Sequence, residues 1–241
     1  MSIIIAILIL NLLIGVHELG HFLAAKLCGV GVDEFSLGMG PKLISKKFGG
    51  TVYSIRWILF GGFVRLNEDD YPKAAWWKQL IIISAGVVFN LICAFIAVGL
   101  YLDLSGMVEV GFFRGVALSF EVTMNMIKEV FIAVINIFKS VDTSSFAGPV
   151  GVVSAVSTYV NTGFIYAIEI FAVLNINLFI MNSLPIPMLD GGQAVLIIIK
   201  KIFNKKEMPK FETVWNVIGI IFVGAIFVFA IKNDIFNLFF K

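Results

Sequence analysis

The stretch Val16-His17-Glu18-Leu19-Gly20-His21 holds the only two histidines of the 241-residue chain, four residues apart. On a helix that spacing projects both imidazoles from one face about one turn apart, the geometry for two ligands of one metal ion. Glu18, between them, is placed to act as a base on water held by that metal, which points to zinc. A catalytic zinc takes three protein ligands, and no histidine remains, so the third is a carboxylate or a cysteine. Cys28 lies about 10 Å further along the same helix and cannot close the site. Glu169 stands at the far end of its own apolar stretch, at the wrong depth. Cys93 falls midway along another apolar stretch and stays open as a ligand; Asp190 is the better placed.

Asp190 belongs to Asn182-Ser183-Leu184-Pro185-Ile186-Pro187-Met188-Leu189-Asp190-Gly191-Gly192. Pro185 and Pro187 remove helix donors, and the two glycines permit sharp turns, so a helix is expected to unwind here. A broken helix around an acid inside a membrane marks a site. The plainer alternative is a re-entrant turn capped by Asp190 with no metal. Asn182 either hydrogen-bonds a substrate backbone or satisfies carbonyls freed by the prolines.

These residues must be positioned by a membrane protein. The chain is 59% hydrophobic and 14% charged, with a mean hydropathy of +0.99, against about 25% charged residues in a soluble domain. A transmembrane helix needs about 20 apolar residues, and four stretches qualify, near 2–27, 80–102, 164–189 and 214–231. Counted from Ile3, His17 lies about 20 Å into a hydrocarbon core of about 30 Å. An ionisable residue at such depth costs about 2.5–3.5 kcal/mol, a cost that a bound zinc ion compensates. The net charge of +2, with no basic block, leaves no electrostatic footprint for nucleic acid.

Eight of the 18 basic residues fall in the first loop, five in the last and three in the long middle connection. The positive-inside rule then places the first and last loops in the cytoplasm and both termini outside. Arg114, Glu121 and Lys128 recur at seven-residue intervals, giving 112–139 one charged face and the character of an amphipathic helix at the interface. A fifth span there would strand the lysines of 200–210 outside. Thr51–Trp57 alternates in character and predicts one or two short strands within an apolar loop, about 33–66, that dips into the membrane. Ser84, Ala85, Gly86 and Asn90 have the spacing of a close helix contact, and Gly148-Pro149 marks a turn. The fold class expected is an all-α membrane protein with four transmembrane helices, a short β element after the first span and an amphipathic helix before the third.

HELGH, NSLPIPMLDGG, the AGVVFN segment at Ala85–Asn90, and FSLGMGP and GGFVRL in the first loop together resemble the site-2 protease family of intramembrane zinc metalloproteases. The likeness runs over most of the chain and is nearest the bacterial envelope-stress regulator branch. It implies one zinc ion held by His17, His21 and Asp190, with Glu18 as the catalytic glutamate. Asn182 matches a substrate-binding position, and the Thr51–Trp57 strand matches a re-entrant β element that engages substrate, through Val52, Tyr53, Ser54 and Ile55. The bacterial inner membrane is the implied location. That branch usually carries PDZ domains between spans two and three, where Asp103–Phe112 leaves room for none.

The expected reaction is hydrolysis of a peptide bond within or near the transmembrane segment of a single-span protein, such as an anti-sigma factor or a signal-peptide remnant. The partners expected are that substrate and membrane lipid. A substrate helix must unwind to expose its carbonyls, and a strand edge at Thr51–Trp57 could receive it by β-addition. Three other readings compete: a catalytically silent scaffold binding transmembrane helices, a metal transporter, and an unrelated HExxH protease with a glutamate ligand.

Overall fold

An unbroken run of Ile, Leu and Ala without proline folds as α1 (Ser2–Leu27), because in lipid a helix satisfies every backbone donor internally. It ends at Cys28, followed by Gly29 in the left-handed region (φ 74°). The structure, a computed structural model, describes residues 1–106, 111–140, 147–205 and 208–240. Part of the Asp103–Phe112 connection, the lead-in to the Gly148-Pro149 turn and Lys206 lie outside the described residues.

After α1 come β1 (Val32–Phe48) and β2 (Thr51–Leu66), antiparallel and joined at Gly49-Gly50. Both glycines have positive φ, which a two-residue hairpin turn of this hand requires. The strands bend near Gly38, Gly40 and Gly61, so one ladder becomes several. Glu34–Leu37 pairs with Gly62–Arg65 on one side and with Val52–Ile55 on the other; Val52–Ile55 pairs again with Ile44–Lys47. This corrects the expectation that Thr51–Trp57 is a sheet edge. Val52, Tyr53, Ser54 and Ile55 have their backbone groups engaged on both sides and cannot receive an added strand there. The edges are 44–48 and 62–66.

Side chains reinforce the hairpin. Burial works to raise the Glu34 carboxyl, but hydrogen bonds from Ser54 Oγ (2.7 Å), Arg56 Nη2 (2.7 Å) and Lys42 (3.2 Å) outweigh it and hold its pKa down to about 2. Tyr53 packs edge-on against Phe22, which fastens the sheet to α1.

α2 (Trp76–Leu104) lies against α1 at a contact only small residues allow. A Cβ added to Gly20 would sit 2.8 Å from the carbonyl carbon of Ala85 and 3.0 Å from Gly86 Cα. Lipid offers no hydrophobic drive between helices, so this close approach and its dispersion contacts supply the attraction. α5 (Phe164–Ser183) follows α2 lengthwise, with Ala94 and Ile176 fully buried between them.

α3 (Phe112–Ser140) has the charged face expected, with Arg114, Glu121 and Lys128 exposed. The sequence reading laid its apolar stripe on the membrane surface. In the structure the stripe lies on the bundle: Leu118 and Val122 pack with Val98, Leu102 and Ala172, and Val130 and Val134 with Ala94, Ile176 and Ile180. α4 (Pro149–Thr162), unanticipated as a helix, begins with proline at its first turn, where no donor is needed, and packs Val156 against Ala6, Leu10 and Leu13.

The third span stops at Ser183, earlier than the expected 189. Residues 184–189 are non-helical, with Met188 in the left-handed region, and α6 (Asp190–Ile202) begins at the acid itself. The last helix, α7 (Pro209–Phe240), extends beyond 214–231 at both ends. Its Asp234 carboxylate, 7% exposed, accepts the backbone N–H groups of Gly148 (3.0 Å), Val150 (2.9 Å) and Gly151 (3.1 Å), capping α4 from another helix. Among the described residues four helices, α1, α2, α5 and α7, are long and apolar enough to cross a membrane.

Candidate active site

Residues distant in sequence meet where α1, α2, β2 and α6 converge. His17 and His21 stand one turn apart on the buried face of α1, each 8% exposed. Asp190 reaches them from the first residue of α6, because Pro185 and Pro187 end α5 and let the chain double back. Gly191 and Gly192 permit that reversal; a Cβ on Gly192 would overlap the backbone of Ile186 and Pro187.

The three side chains point one atom each at a common centre. His17 Nε2 lies 3.1 Å and His21 Nε2 3.3 Å from Asp190 Oδ2, and the two nitrogens are 3.2 Å apart. Neighbouring ligands on a tetrahedral zinc with bonds of about 2.0–2.1 Å are about 3.3–3.4 Å apart, so the triangle has the right size. Asp190 Oδ2 is buried and makes no hydrogen bond, which leaves its lone pairs for an ion. Two imidazoles and one carboxylate are a zinc donor set, and this is the only group of three potential ligands of its kind among the described residues. Cys93 lies elsewhere on α2, in an apolar cleft with Ile9 and Phe164.

The far side of each imidazole is also held. His21 Nδ1 lies 2.8 Å from the Ile82 carbonyl oxygen, an acceptor only, so Nδ1 carries the proton and Nε2 presents its lone pair. His17 Nδ1 lies 3.0 Å from Asn90 Nδ2, while Asn90 Oδ1 is buried without a partner. For His17 Nε2 to face a metal, Nδ1 must donate, and its acceptor must be the Asn90 oxygen. Turning the amide end for end supplies that acceptor and satisfies the orphaned oxygen. Gly86, one turn before Asn90, brings α2 this close: a Cβ there would overlap His21 Nε2 and lie 2.8 Å from His17 Cε1. In the sequence Gly86 and Asn90 read first as a helix contact, within the AGVVFN segment of the family resemblance. Their four-residue spacing, matching that of the histidines, was the available signal.

His17, Glu18, His21 and Asp190 share a cleft of about 210 Å³, walled by Ile82 and Ile83 of α2 and by Phe63, Val64 and Leu66 of β2. Gly62 lets the strand approach: a Cβ there would sit 3.2 Å from Glu18 Cγ, and Val64 lines the same cleft as Glu18. The strand beside Glu18 and the three potential ligands is therefore the sheet edge 62–66. Tyr53 and Ser54 face Phe22 and Glu34 instead, and Asn182, half-buried in the last turn of α5, does not line the cleft.

A carboxylate beside three side chains that could hold one metal ion, inside a bundle of helices long and apolar enough to cross a membrane, is the arrangement of a membrane-embedded metallohydrolase. The profile of peptidase family M50 matches residues 5–226. The chain belongs to that family, the site-2 proteases, and is a zinc metalloprotease. It is 26% identical to a Clostridium perfringens protein named "Putative zinc metalloprotease", with 98% of this chain and 99% of the relative aligned. A Fusobacterium nucleatum protein of the same description is 25% identical over 99% of this chain and its own full length. A Vibrio cholerae relative reaches 43% identity, over 38% of this chain and 23% of its own length. The first two alignments extend over 332 and 342 positions against 241 residues here, so each relative carries residues without a counterpart in this chain.

Proposed function

We propose that the protein hydrolyses a peptide bond within or near the transmembrane segment of a single-span membrane protein or signal-peptide remnant, as a step of regulated intramembrane proteolysis. One observation carries this reading: Glu18, the His17–His21–Asp190 triangle and the strand edge 62–66 open onto one cleft. Anti-sigma factors belong to the substrate class, since each presents one apolar helix. The whole of 1–241 acts as a single membrane-embedded domain, with no room for a substrate-filtering domain in the short connection between α2 and α3. The distribution of lysines supports a bacterial inner-membrane location with both termini outside and the site toward the cytoplasm.

His17, His21 and Asp190 would hold the zinc ion, which supplies a Lewis acid that polarises the scissile carbonyl and makes water more acidic. Glu18 takes the proton from the attacking water on its carboxylate and passes it to the departing amide nitrogen. The edge 62–66 receives the unwound substrate as an added strand, replacing the backbone hydrogen bonds lost on unwinding and holding the carbonyl near Glu18. Asn182 takes part in substrate binding only if substrate extends past the cleft toward the end of α5.

The test is cleavage of a tagged panel of single-span substrates by the purified full-length protein. Wild type yields products; Glu18→Gln lowers the rate by about 10²–10⁴-fold with zinc retained. Val64→Pro abolishes cleavage of membrane-embedded substrate at normal zinc content. Equal cleavage by Glu18→Gln would refute the reaction, and unchanged cleavage by Val64→Pro would remove the strand from it.

A further inference from the structure

A second cleft, of about 320 Å³, opens where the first turn of α2 meets the C-terminal end of α6, remote from the metal triangle. Lys73, Lys200, Lys201 and Lys205 line it, and among the described residues no carboxylate does. Glu212 engages Lys200 at 2.8 Å from outside the cleft, leaving Lys73, Lys201 and Lys205 without an acidic partner among the described residues. Lysines at the end of α6 are explained by the helix dipole. Lys73 is not: it arrives on a separate segment and adds to the same positive field. The opening of α2 adds more, since Ala75 at its N-cap offers no side-chain acceptor for the first N–H groups. Gln79, the nearest polar side chain, turns its NH₂ to the carbonyls of Tyr71 and Ala74 and brings no negative charge.

The depth of the cleft identifies what fills it. α2 crosses the membrane from Trp76, and Trp76 and Trp77, 44% and 48% exposed, stand where aromatic residues mark the headgroup layer. Lys201 Nζ lies 5.9 Å from the centre of the Trp76 ring, and Ile197 forms an apolar wall on the α6 side. Cations, free helix donors and an apolar flank together suit a phosphodiester carrying acyl chains. We propose that this cleft binds the headgroup of an anionic phospholipid, bridging the start of α2 to the end of α6, the helix whose other end carries Asp190.

The experiment titrates detergent-solubilised full-length protein with phosphatidylglycerol, phosphatidylcholine and inorganic phosphate, and counts bound molecules by native mass spectrometry. Wild type is expected to bind phosphatidylglycerol at least about tenfold more tightly than phosphatidylcholine. The triple variant Lys73→Gln/Lys201→Gln/Lys205→Gln should lose about 100-fold, roughly fivefold per lysine. Lys46→Gln/Lys47→Gln, which removes two exposed lysines of the β hairpin, should bind as wild type. Zinc content equal to wild type shows that the triple variant is folded. Undiminished phosphatidylglycerol binding by the triple variant would overturn the proposal, as would equal losses in both variants, which would mean diffuse surface charge. Displacement of lipid by an equal concentration of inorganic phosphate would reassign the cleft to free phosphate.

Discussion

Replacing Asn90 tests whether α2 sets the protonation of a metal ligand. Asn90 is fully buried, with its side-chain amide 3.0 Å from His17 Nδ1. Asn90→Leu keeps the volume but leaves a buried Nδ1–H without an acceptor, a penalty of about 1–3 kcal/mol. His17 escapes that penalty by moving its proton to Nε2, the atom that must face the metal. Zinc affinity should therefore fall about 10–100-fold, the usual loss when the partner of a metal-bound imidazole is removed. Asn90→Asp keeps an oxygen at the same place and should hold zinc within a few-fold of wild type. The assay is competition with a chelator, followed by metal analysis of the purified protein, with size-exclusion behaviour as a check on folding. Wild-type zinc affinity in Asn90→Leu, or equal losses in the Leu and Asp variants, would refute the reasoning.

Gly86→Ala should weaken zinc binding by about tenfold or more, because the new methyl overlaps His21 Nε2 and overpacking of this kind costs about 1–3 kcal/mol; the same chelator competition reads it. Asp190→Asn should abolish zinc binding while the four spans still insert; retained zinc would favour a ligand elsewhere. Glu34→Gln should destabilise the hairpin at neutral pH. The folded pKa of about 2 lies below the ordinary 4.5, so the stabilisation is complete above about 4.5 and is lost as pH falls through about 2. It amounts to about 3 kcal/mol unscreened and about 1–2 kcal/mol under the thin cover of a hairpin. Proteolytic susceptibility of wild type and Glu34→Gln should converge in acid. Asp234→Ala should lower the unfolding temperature, since the N–H groups of Gly148, at the N-cap of α4, and of Val150 and Gly151 in its first turn lose their acceptor at about 1–2 kcal/mol, with zinc content unchanged.

The four spans and the histidine pair are legible in the sequence because each is a local pattern: an apolar run of the right length, or two ligands on one helix face. Asp190 was legible too, since prolines and glycines around an acid in an apolar stretch have few other uses. The sheet was half legible. Alternation announces strands, but Val52–Ile55 alternates as an inner segment would as well as an edge one, and only the bends at Gly38, Gly40 and Gly61 decide which is which. α4 and α6 are not announced as helices in the sequence for a related reason: both are short, and α6 starts only after the break at Pro185 and Pro187. Asn90 was seen but not understood, because its role depends on an imidazole 73 residues away.

The metal triangle draws two corners from α1 and the third from α6. During translation His17, Glu18 and His21 leave the ribosome early and Asp190 late, after α2, α3, α4 and α5 have been made. Of those segments, α2 and α5 are long and apolar enough to enter the bilayer as spans, and they are made while the triangle still lacks its third corner. The order of the elements thus delays completion of the triangle until α1, α2 and α5 have all been synthesised, with α7 alone of the four candidate spans still to follow.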